Sequence, residues 1–351
     1  MIQDLRHQQE ATGAMFESVA GETVPVSFGN DPVALQAAQI GVAVCDRSHW
    51  GRIQLSDQDR LRFLHNQTTN NILSLQPGQG CDTVFTTSTA RTIDLATAYV
   101  LEDAVLLLVS PTRRQKLMQW LDHYLFPADR VQLQDVTPTT ATFSLLGPQS
   151  PALLEKLGAE ALIGEPLNSH RLLKLQGVEV RVAVGSGLAT AGYTLMVDAT
   201  QAAILWSSLL EAGAVPLGDR VWEQLRVEQG RPVPDHELTE DYNPLEAGLW
   251  QTISFDKGCY IGQETIARLD TYKGVKQQLW GVRLQAIAEP GSVVTVGEEK
   301  VGKLTSVIET AQGPLGLAYI RTKTGGAGLK VQVGDSEGEV VDVPFLTHER
   351  Q

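Results

Sequence analysis

The hydrophobic pattern changes near residue 277, and this change constrains the fold more than any other feature. Before it, helix-like and strand-like periods alternate along the chain, with one helix predicted over 31–40 and another from Ser56, which indicates a mixed α+β body. After it, Gly and Pro punctuate short β-like segments at 279–285, 292–296, 304–309, 315–321 and 329–333. This punctuation predicts an all-β C-terminal domain, either a barrel or a sandwich.

The length and charge of the chain limit its classes of function. Its 351 residues suggest about two or three domains. It carries 28 Lys and Arg against 41 Asp and Glu, a formal net charge of -13. This balance argues against a direct nucleic-acid binder, because affinity for a phosphate backbone rests on Lys and Arg. A local basic site for an anionic ligand remains compatible with it.

The cysteines and apolar runs indicate a compartment. Cys45, Cys81 and Cys259 are far apart and form no C-x-x-C pair. This odd, sparse count argues against a disulfide framework and favours a reducing compartment. The aliphatic run 104–109 is too short to span a bilayer, and residues 1–10 lack the apolar core of a signal peptide. We therefore expect a cytoplasmic protein that does not contact a membrane.

Several common catalytic motifs are missing from the sequence. It has no G-x-G-x-x-G, no P-loop and no G-x-S-x-G elbow. His236-Glu237 begins like the zinc motif H-E-x-x-H, but position 240 is Glu, and the seven histidines have no zinc-like spacing. The commonest nucleotide, zinc-protease and esterase interpretations are therefore disfavoured, and we expect no metal site.

A polar stretch over 230–276 separates the two patterns, and long loops in compact proteins are usually functional. Within it, residues 257–264 read Lys-Gly-Cys-Tyr-Ile-Gly-Gln-Glu. Two glycines bracket Cys259, so the backbone there can turn tightly or approach a ligand. A cation near a thiol, as Lys257 is in sequence, lowers the pKa of that thiol. Cys259 is therefore a candidate reactive cysteine, and a buried structural cysteine in a turn is the alternative.

The stretch 257–283 is basic within an acidic chain. It holds five Lys and Arg against two acidic residues, Glu264 and Asp270. Such a patch suits a carboxylate or a phosphate, although a solvated loop with scattered lysines has the same composition.

The octet 257–264 matches the signature of the YgfZ-type folate-binding proteins, and the chain resembles this family. The family is related to the glycine-cleavage T-protein, an aminomethyltransferase. Three further segments resemble it: LRVEQG at 225–230, NPLEAGL at 243–249 and FLHNQTTN at 63–70. The resemblance covers most of the chain, is dense from 216 to 276 and is weak in the terminal β region.

The resemblance implies an α+β fold of T-protein type, with three domains around a central folate cavity and an all-β barrel as the C-terminal domain. The implied first domain is discontinuous and binds folate, over 1–50 plus 136–250. An α+β second domain is inserted at 51–135, a signature loop covers 251–274, and the barrel covers 275–351.

The resemblance also implies a cofactor, tetrahydrofolate or a one-carbon derivative, and roles for individual residues. Arg226 matches the arginine that helps to bind folate, and together with the basic stretch 257–283 it would form a basic rim beside the folate cavity. Offsetting a helix dipole is the alternative role of Arg226. The other implied folate-binding residues are Tyr193, Thr194, Asn66 and Glu228. The signature residues are Lys257, Gly258, Cys259, Tyr260, Gly262, Gln263 and Glu264. The candidate catalytic residues are Cys259, Lys257 and Asp94.

Two departures from the T-protein pattern bear on the activity. The segment 90–95 reads ARTIDL, so Leu95 stands where the catalytic aspartate is expected. Asp94 remains, either lining the folate cavity or as an exposed strand residue. Thr194 stands where an acidic folate ligand is expected, so the pterin contacts differ from those of a T-protein.

The resemblance implies the first hypothesis, a tetrahydrofolate-binding protein that supports assembly or repair of iron–sulfur clusters in enzymes such as tRNA-modifying enzymes. Its implied partners are folate and iron–sulfur enzymes or cluster-scaffold proteins. An aminomethyltransferase of the glycine cleavage system is the alternative, and a non-catalytic folate sensor or scaffold is the third. Whether the chain is a folate-dependent one-carbon or aminomethyl transferase stays open at this point.

Overall fold

The computed structural model describes residues 2–350, and Met1 and Gln351 lie outside the described residues. The described α-helices are α1 (Ile2–Ala11), α2 (Asp31–Ile40), α3 (Arg60–Gln67), α4 (Arg114–His123), α5 (Ser150–Lys156), α6 (Ala202–Glu211), α7 (Asp219–Gln229) and α8 (Gln263–Thr271). The described strands are β1 (Met15–Val19), β2 (Glu22–Ser27), β3 (Ala43–Asp46), β4 (Gly51–Ser56), β5 (Gly80–Thr86), β6 (Thr92–Val100), β7 (Ala104–Val109), β8 (Gln132–Asp135), β9 (Thr140–Leu146), β10 (His170–Leu175), β11 (Val178–Val184), β12 (Gly192–Asp198), β13 (Val215–Leu217), β14 (Gln277–Leu284), β15 (Val293–Val296), β16 (Glu299–Ile308), β17 (Leu315–Arg321), β18 (Lys330–Val333) and β19 (Ser336–Val341).

The chain divides into two compact units. The first comprises the chain up to Phe63, Ile72–Asp82 and Thr97–Glu223. The second comprises Leu64–Asn71, Thr83–Ala96 and the chain from Gln224 onward. One five-stranded sheet has the order β5-β6-β7-β4-β8, and its strands β7, β4 and β8 lie in the first unit. The three-domain division implied by the resemblance stays a prediction.

The first unit contains a six-stranded sheet of order β10-β11-β12-β9-β3-β13. Its neighbours are antiparallel except β13, which pairs with β3 in parallel. Helix α6 buries Leu205, Trp206 and Leu209 along one face, as an amphipathic helix does. The Trp206 ring stacks on Phe28 at 5.7 Å between ring centroids. Helices on a largely antiparallel sheet confirm the predicted α+β class.

The second unit contains a closed barrel of order β14-β17-β16-β15-β18-β19. Its interior holds alternate apolar side chains, among them Val282, Leu304, Ala318 and Ile320. Because closure leaves no unpaired strand edge, the barrel needs no covering layer. Of the two all-β folds open from the sequence, the barrel is the one observed.

Local structure departs from the sequence prediction at two helices. The helix predicted from Ser56 begins at Arg60 instead, after Asp57, whose φ is +77°. The predicted loop over 230–276 contains α8, in which Ile266 is buried. Its apolar face is only Ile266 and Leu269 within nine residues, and this short amphipathic segment was not recognised inside a polar, Gly- and Pro-containing stretch.

Candidate functional site

Lys257 joins the signature octet to residues 64–71 of the same unit. Its ammonium donates hydrogen bonds to the main-chain carbonyls of His65 (2.5 Å), Thr68 (2.6 Å) and Asn70 (2.8 Å). An ammonium has three N–H donors, and these carbonyls provide three acceptors. The side chain is buried, so the interaction satisfies the carbonyls where water does not reach. Two segments that the resemblance singled out separately are therefore one structure, here called the octet clamp (257–264 on 64–71).

Three further residues of the octet fix this arrangement. The Tyr260 ring lies 4.7 Å from the Lys257 ammonium, in a cation–π contact. The main-chain N–H of Ile261 donates to the carbonyl of Asn66 at 3.1 Å. Gly262 has a φ of +89°, and a Cβ there would lie 2.7 Å from the hydroxyl oxygen of Thr86. Both its φ and this close approach therefore require glycine at position 262.

Cys259 lies exposed on the clamped loop, so the alternative of a buried structural cysteine is wrong. On the neighbouring residue, Gly258, a Cβ would lie 4.0 Å from Nε2 of His65. Burial, reinforced by the charge of Lys257, lowers the pKa of His65 to about 4. The clamp thus combines a neutral imidazole, an engaged ammonium and an exposed thiol. That Lys257 tunes Cys259 stays a prediction.

The remaining signature residues, Gln263 and Glu264, are the first two residues of α8. The main-chain N–H of Gln263 donates to the carbonyl of Tyr260 at 3.2 Å. Glu264 is exposed in the first turn of the helix, where a carboxylate suits the helix dipole. Asn66 is also exposed, on the other segment of the clamp. Their predicted roles in binding stay predictions.

Arg226 lies at the C-terminal end of α7 and is 1% exposed. Its Nη1 donates to Oε2 of Glu237 at 3.0 Å, and its Nη2 donates to the Ser306 hydroxyl at 3.1 Å. Glu237 also accepts from the hydroxyls of Thr305 (2.8 Å) and Ser306 (2.6 Å). These four residues form the Arg226 network. Because the guanidinium is buried and ion-paired, Arg226 adds no exposed positive charge to the predicted basic rim. The contribution of 257–283 to that rim stays a prediction.

Glu237 is a residue that the sequence analysis missed. It is 0% exposed, and its only sequence signal was the incomplete zinc motif that begins at His236. A single apolar neighbour, Leu238, is too little hydrophobic pattern to predict that the carboxylate of Glu237 is buried. A buried arginine requires a compensating partner, and this requirement is the signal that could have found it.

Asp94 lies on β6 and is 0% exposed, so the alternative of an exposed strand residue is wrong. The next residue, Leu95, packs in an apolar cluster that includes Val227 and Tyr319. The position expected for the catalytic aspartate of a T-protein is therefore occupied by a core side chain. Glu228 is half-buried and accepts a hydrogen bond from the Gln224 amide at 2.8 Å.

Tyr193 and Thr194 lie on β12 of the first unit, whereas the other predicted site residues belong to the second. Tyr193 is buried, and burial raises the pKa of its phenol. The Thr194 hydroxyl donates to the carbonyl of Gly185 at 2.8 Å. Each side chain is thus placed within its own unit, and their folate contacts stay predictions.

Within residues 2–350, no group of three or more His, Cys, Asp and Glu side chains is arranged to hold a metal ion. None of the helices described there is long and apolar enough to cross a membrane.

The chain is similar over nearly all its length to known proteins. The family model described as the GCVT N-terminal domain matches residues 5–257. The Arabidopsis thaliana protein named "Putative transferase At1g60990, chloroplastic" is 48% identical over 94% of this chain and 77% of its own length. An aminomethyltransferase of Rubrobacter xylanophilus is 28% identical over 99% of this chain and 94% of its own length.

A solved structure shows the same fold. The crystal structure of glycine cleavage system aminomethyltransferase T from Bartonella henselae superposes with a TM-score of 0.86, at 20% identity, over 99% of this chain and 98% of that one. The chain therefore has an aminomethyltransferase-type fold, as the resemblance implied. It belongs to the GCVT family, since the family model covers more than half of it.

Proposed function

We propose that this chain is a YgfZ-type member of the family, which binds tetrahydrofolate or a one-carbon derivative and supports assembly or repair of iron–sulfur clusters. Its clients would be iron–sulfur enzymes, including tRNA-modifying ones, or cluster-scaffold proteins, in the cytoplasm. The observation that carries the proposal is the exposed thiol of Cys259 on the octet clamp. The clamp holds that loop through the buried Lys257.

The thiol has the chemistry that a cluster or a partner protein requires. Thiolates are the usual protein ligands of iron–sulfur clusters. Because a single cysteine cannot complete such a ligand set, the remaining ligands would come from the partner. Exposure of Cys259 allows a partner to reach it, and the hydrogen bonds of Lys257 hold the loop that carries it.

Some buried side chains of the second unit have the hydrogen-bonding chemistry that a bound folate would require. The N–H groups of a reduced pterin suit a buried carboxylate, which Asp94 supplies. The glutamyl tail is anionic and suits an unpaired cation, whereas Arg226 is paired with Glu237. Bound tetrahydrofolate would supply one-carbon chemistry. Asp94 would accept hydrogen bonds, and Arg226 would donate them without adding net charge.

Complementation and calorimetry test the proposal together. In a strain that lacks the gene, Cys259→Ser should fail to restore iron–sulfur enzyme activity, whereas the matched control Cys81→Ser should restore it. Both variants should bind 5-formyltetrahydrofolate as the wild type does. Full restoration by Cys259→Ser would contradict the thiol role and favour a folate-binding scaffold. Absence of folate binding by the wild type would contradict the whole proposal.

An aminomethyltransferase of the glycine cleavage system is the second candidate. It is favoured by the relatives that carry that name and by the buried carboxylate of Asp94. It is disfavoured by Leu95, because an apolar core residue cannot replace a catalytic carboxylate. Production of methylene-tetrahydrofolate from an aminomethylated carrier protein, abolished by Asp94→Asn, would establish it.

A further inference from the structure

A surface cavity of about 770 Å³ lies on the second unit, and most of the side chains that line it are charged. They comprise four cations and two carboxylates, namely Arg91, Lys276, Arg321, Lys323, Asp241 and Glu246. Neither the octet clamp nor the Arg226 network contributes a side chain to this lining. The cavity is therefore a separate feature, here called the basic cavity, and it is positive within a chain of net charge -13.

Arg91 is held in the lining of the basic cavity by the main chain around it. Its main-chain N–H donates to the Thr87 hydroxyl at 3.0 Å, within the turn between β5 and β6. Its Nη1 donates to the main-chain carbonyl of Asp241 at 2.8 Å. A carbonyl dipole orients a guanidinium without cancelling its charge, and within residues 2–350 the Nε and Nη2 groups have no acceptor. Arg91 thus presents further donors in a fixed orientation.

Lys276 is fixed by its backbone but keeps its charge. The main-chain N–H of Thr322 donates to the Lys276 carbonyl at 2.9 Å, and the Thr322 hydroxyl donates to the Val275 carbonyl at 2.9 Å. These bonds tie the segment before β14 to the turn after β17. Lys276 is exposed, and its ammonium has no hydrogen bond or ion pair with any described residue. Its charge is therefore available to a ligand.

Glu246 shows that these two cations converge on one part of the cavity. Burial raises the pKa of its carboxyl group, and the charges of Arg91 and Lys276 are among the effects that oppose this rise. The distance from its Oε2 to Nη1 of Arg91 is 4.0 Å, which is too long for a hydrogen bond. That oxygen instead accepts from the main-chain N–H of Asn243 at 3.1 Å. Glu246 thus leaves donors of both cations unoccupied.

The other two cations of the basic cavity are only partly compensated. Arg321 and Lys323 both pair with Glu299, at 3.4 Å and 3.3 Å. One carboxylate cannot cancel two positive charges. Because these ion pairs are exposed, they are weak, and a competing anion can displace them.

The lining selects a class of anion. A guanidinium fork and an ammonium suit a carboxylate or a phosphate. Asp241 is exposed in the same lining and repels a doubly charged phosphate more than a singly charged carboxylate. Its oxygens can accept hydrogen bonds from the N–H groups of a peptide main chain. None of the described side chains that line the cavity is aromatic, so a nucleotide base would find no stacking face. Carboxylates together with N–H groups are the chemistry of an acidic peptide.

The basic cavity adjoins the octet clamp. A Cβ on Gly262 would lie 3.1 Å from Cα of Ala90, the residue before Arg91. Ala90 and Tyr260 belong to one apolar cluster, against which Val275 packs. A segment bound in the cavity would therefore lie next to elements that pack on the signature octet.

We propose that the basic cavity is a docking site for an acidic segment of a partner protein. Carboxylates of that segment pair with Arg91 and Lys276, and its main-chain N–H groups donate to Asp241. This docking goes beyond the proposed function, and it depends neither on folate binding nor on the thiol of Cys259.

Fluorescence anisotropy of the full chain with a labelled hexaglutamate peptide, its termini blocked, tests this docking site. Arg91→Gln should weaken binding by about tenfold or more, because hydrogen bonds between charged groups are lost. Lys276→Gln should weaken it by about three- to fivefold, as loss of a single exposed ion pair does. Asp241→Asn should tighten it by about twofold, since one repulsive charge is removed.

Lys303→Gln is the matched control for Lys276→Gln. Lys303 is exposed on β16 and does not line the cavity, so its loss changes the net charge equally but should leave the affinity within about twofold. Equal weakening by the two variants would show attraction by net charge alone and overturn the proposal. Because Lys276 is exposed, its substitution should not affect folding, and this comparison holds even where Arg91→Gln does not fold.

Competition identifies the class of ligand. Hexaglutamine should not bind, and neither inorganic phosphate at matched ionic strength nor 5-formyltetrahydrofolate should displace the hexaglutamate peptide. Displacement by phosphate would assign the cavity to phosphate, displacement by the folate would assign it to folate, and either result would overturn the proposal. Absence of hexaglutamate binding by the wild type would overturn it as well. A wild type that binds the peptide but no folate contradicts the proposed function and leaves the docking site intact.

Discussion

The Arg226 network and the octet clamp both bury a cation in the second unit, but they treat its charge differently. Arg226 faces the carboxylate of Glu237, which cancels its charge. Lys257 faces three carbonyl dipoles, which solvate an ammonium without cancelling it. The charge of Lys257 is still felt, since it helps to lower the pKa of His65. The partner of a buried cation, rather than the cation itself, thus decides whether a site is electrically positive.

The largest expected effect on stability comes from disrupting the Arg226 network. Removal of one member of a buried ion pair leaves the other uncompensated. Arg226→Leu and Glu237→Leu should therefore each lower the free energy of unfolding by about 4 kcal/mol. The double variant should lose less than the sum of the two, as measured by urea denaturation. Additive losses would show that the two side chains do not act as a pair.

The next effect concerns the clamp. Lys257→Met leaves three main-chain carbonyls without their donor and should cost about 3 kcal/mol. It should also raise the pKa of His65 toward its ordinary value, measured by NMR titration, because the positive charge is gone. Lys273→Met, an exposed control, should leave both quantities unchanged. An unaltered pKa of His65 would contradict the conclusion that the charge of Lys257, unlike that of Arg226, is not cancelled.

A smaller effect tests the close approach at Gly262. Gly262→Ala should cost about 2 kcal/mol, because it combines a positive φ with a Cβ 2.7 Å from the Thr86 hydroxyl. Gly291→Ala is the matched control, since its φ is +96° but no atom lies within 4 Å of the added Cβ. It should cost only about 1 kcal/mol. Equal losses of unfolding free energy in the two variants, measured by thermal or urea unfolding, would show that the Thr86 hydroxyl moves aside without cost.

The smallest effect is a dependence on pH. The unfolded chain protonates His65 near its ordinary pKa of 6.5, whereas the folded chain does so at about 4. The stability that His65 contributes is therefore present above pH 6.5 and is lost as the pH falls toward 4. In His65→Gln the urea midpoint should fall less steeply over this range than in the wild type. Identical slopes would show that burial and Lys257 do not hold the imidazole neutral.

Local patterns in the sequence predicted much of the fold. The helix expected over 31–40 is α2, and the short β segments after 277 form most of the barrel. Helix α8 was missed because its nine residues lie within a polar stretch that was interpreted as a loop. Strand β19, which lies beside β14 in the closed barrel, also lacked a clear pattern. A fold signal that depends on periodicity fails where an element is short and lies within polar or Gly-rich surroundings.

The candidate site was predictable residue by residue but not as a set of contacts. Sequence indicated Lys257, Cys259 and Arg226 through their motifs. It did not indicate that Lys257 meets the carbonyl of His65, 192 positions away, or that Arg226 meets Glu237. It also suggested that Asp94 could be exposed, whereas the residue is fully buried.

The sequence by itself determined which elements form and which chemical groups are available. A glycine at position 262, a lysine at 257 and a β-rich tail are local properties, because periodicity and backbone freedom act over a few residues. Only the tertiary structure decided which partner each buried cation faces. A bulge in β16 and contacts between distant segments set those partners, and they fix whether the charge is cancelled or merely solvated.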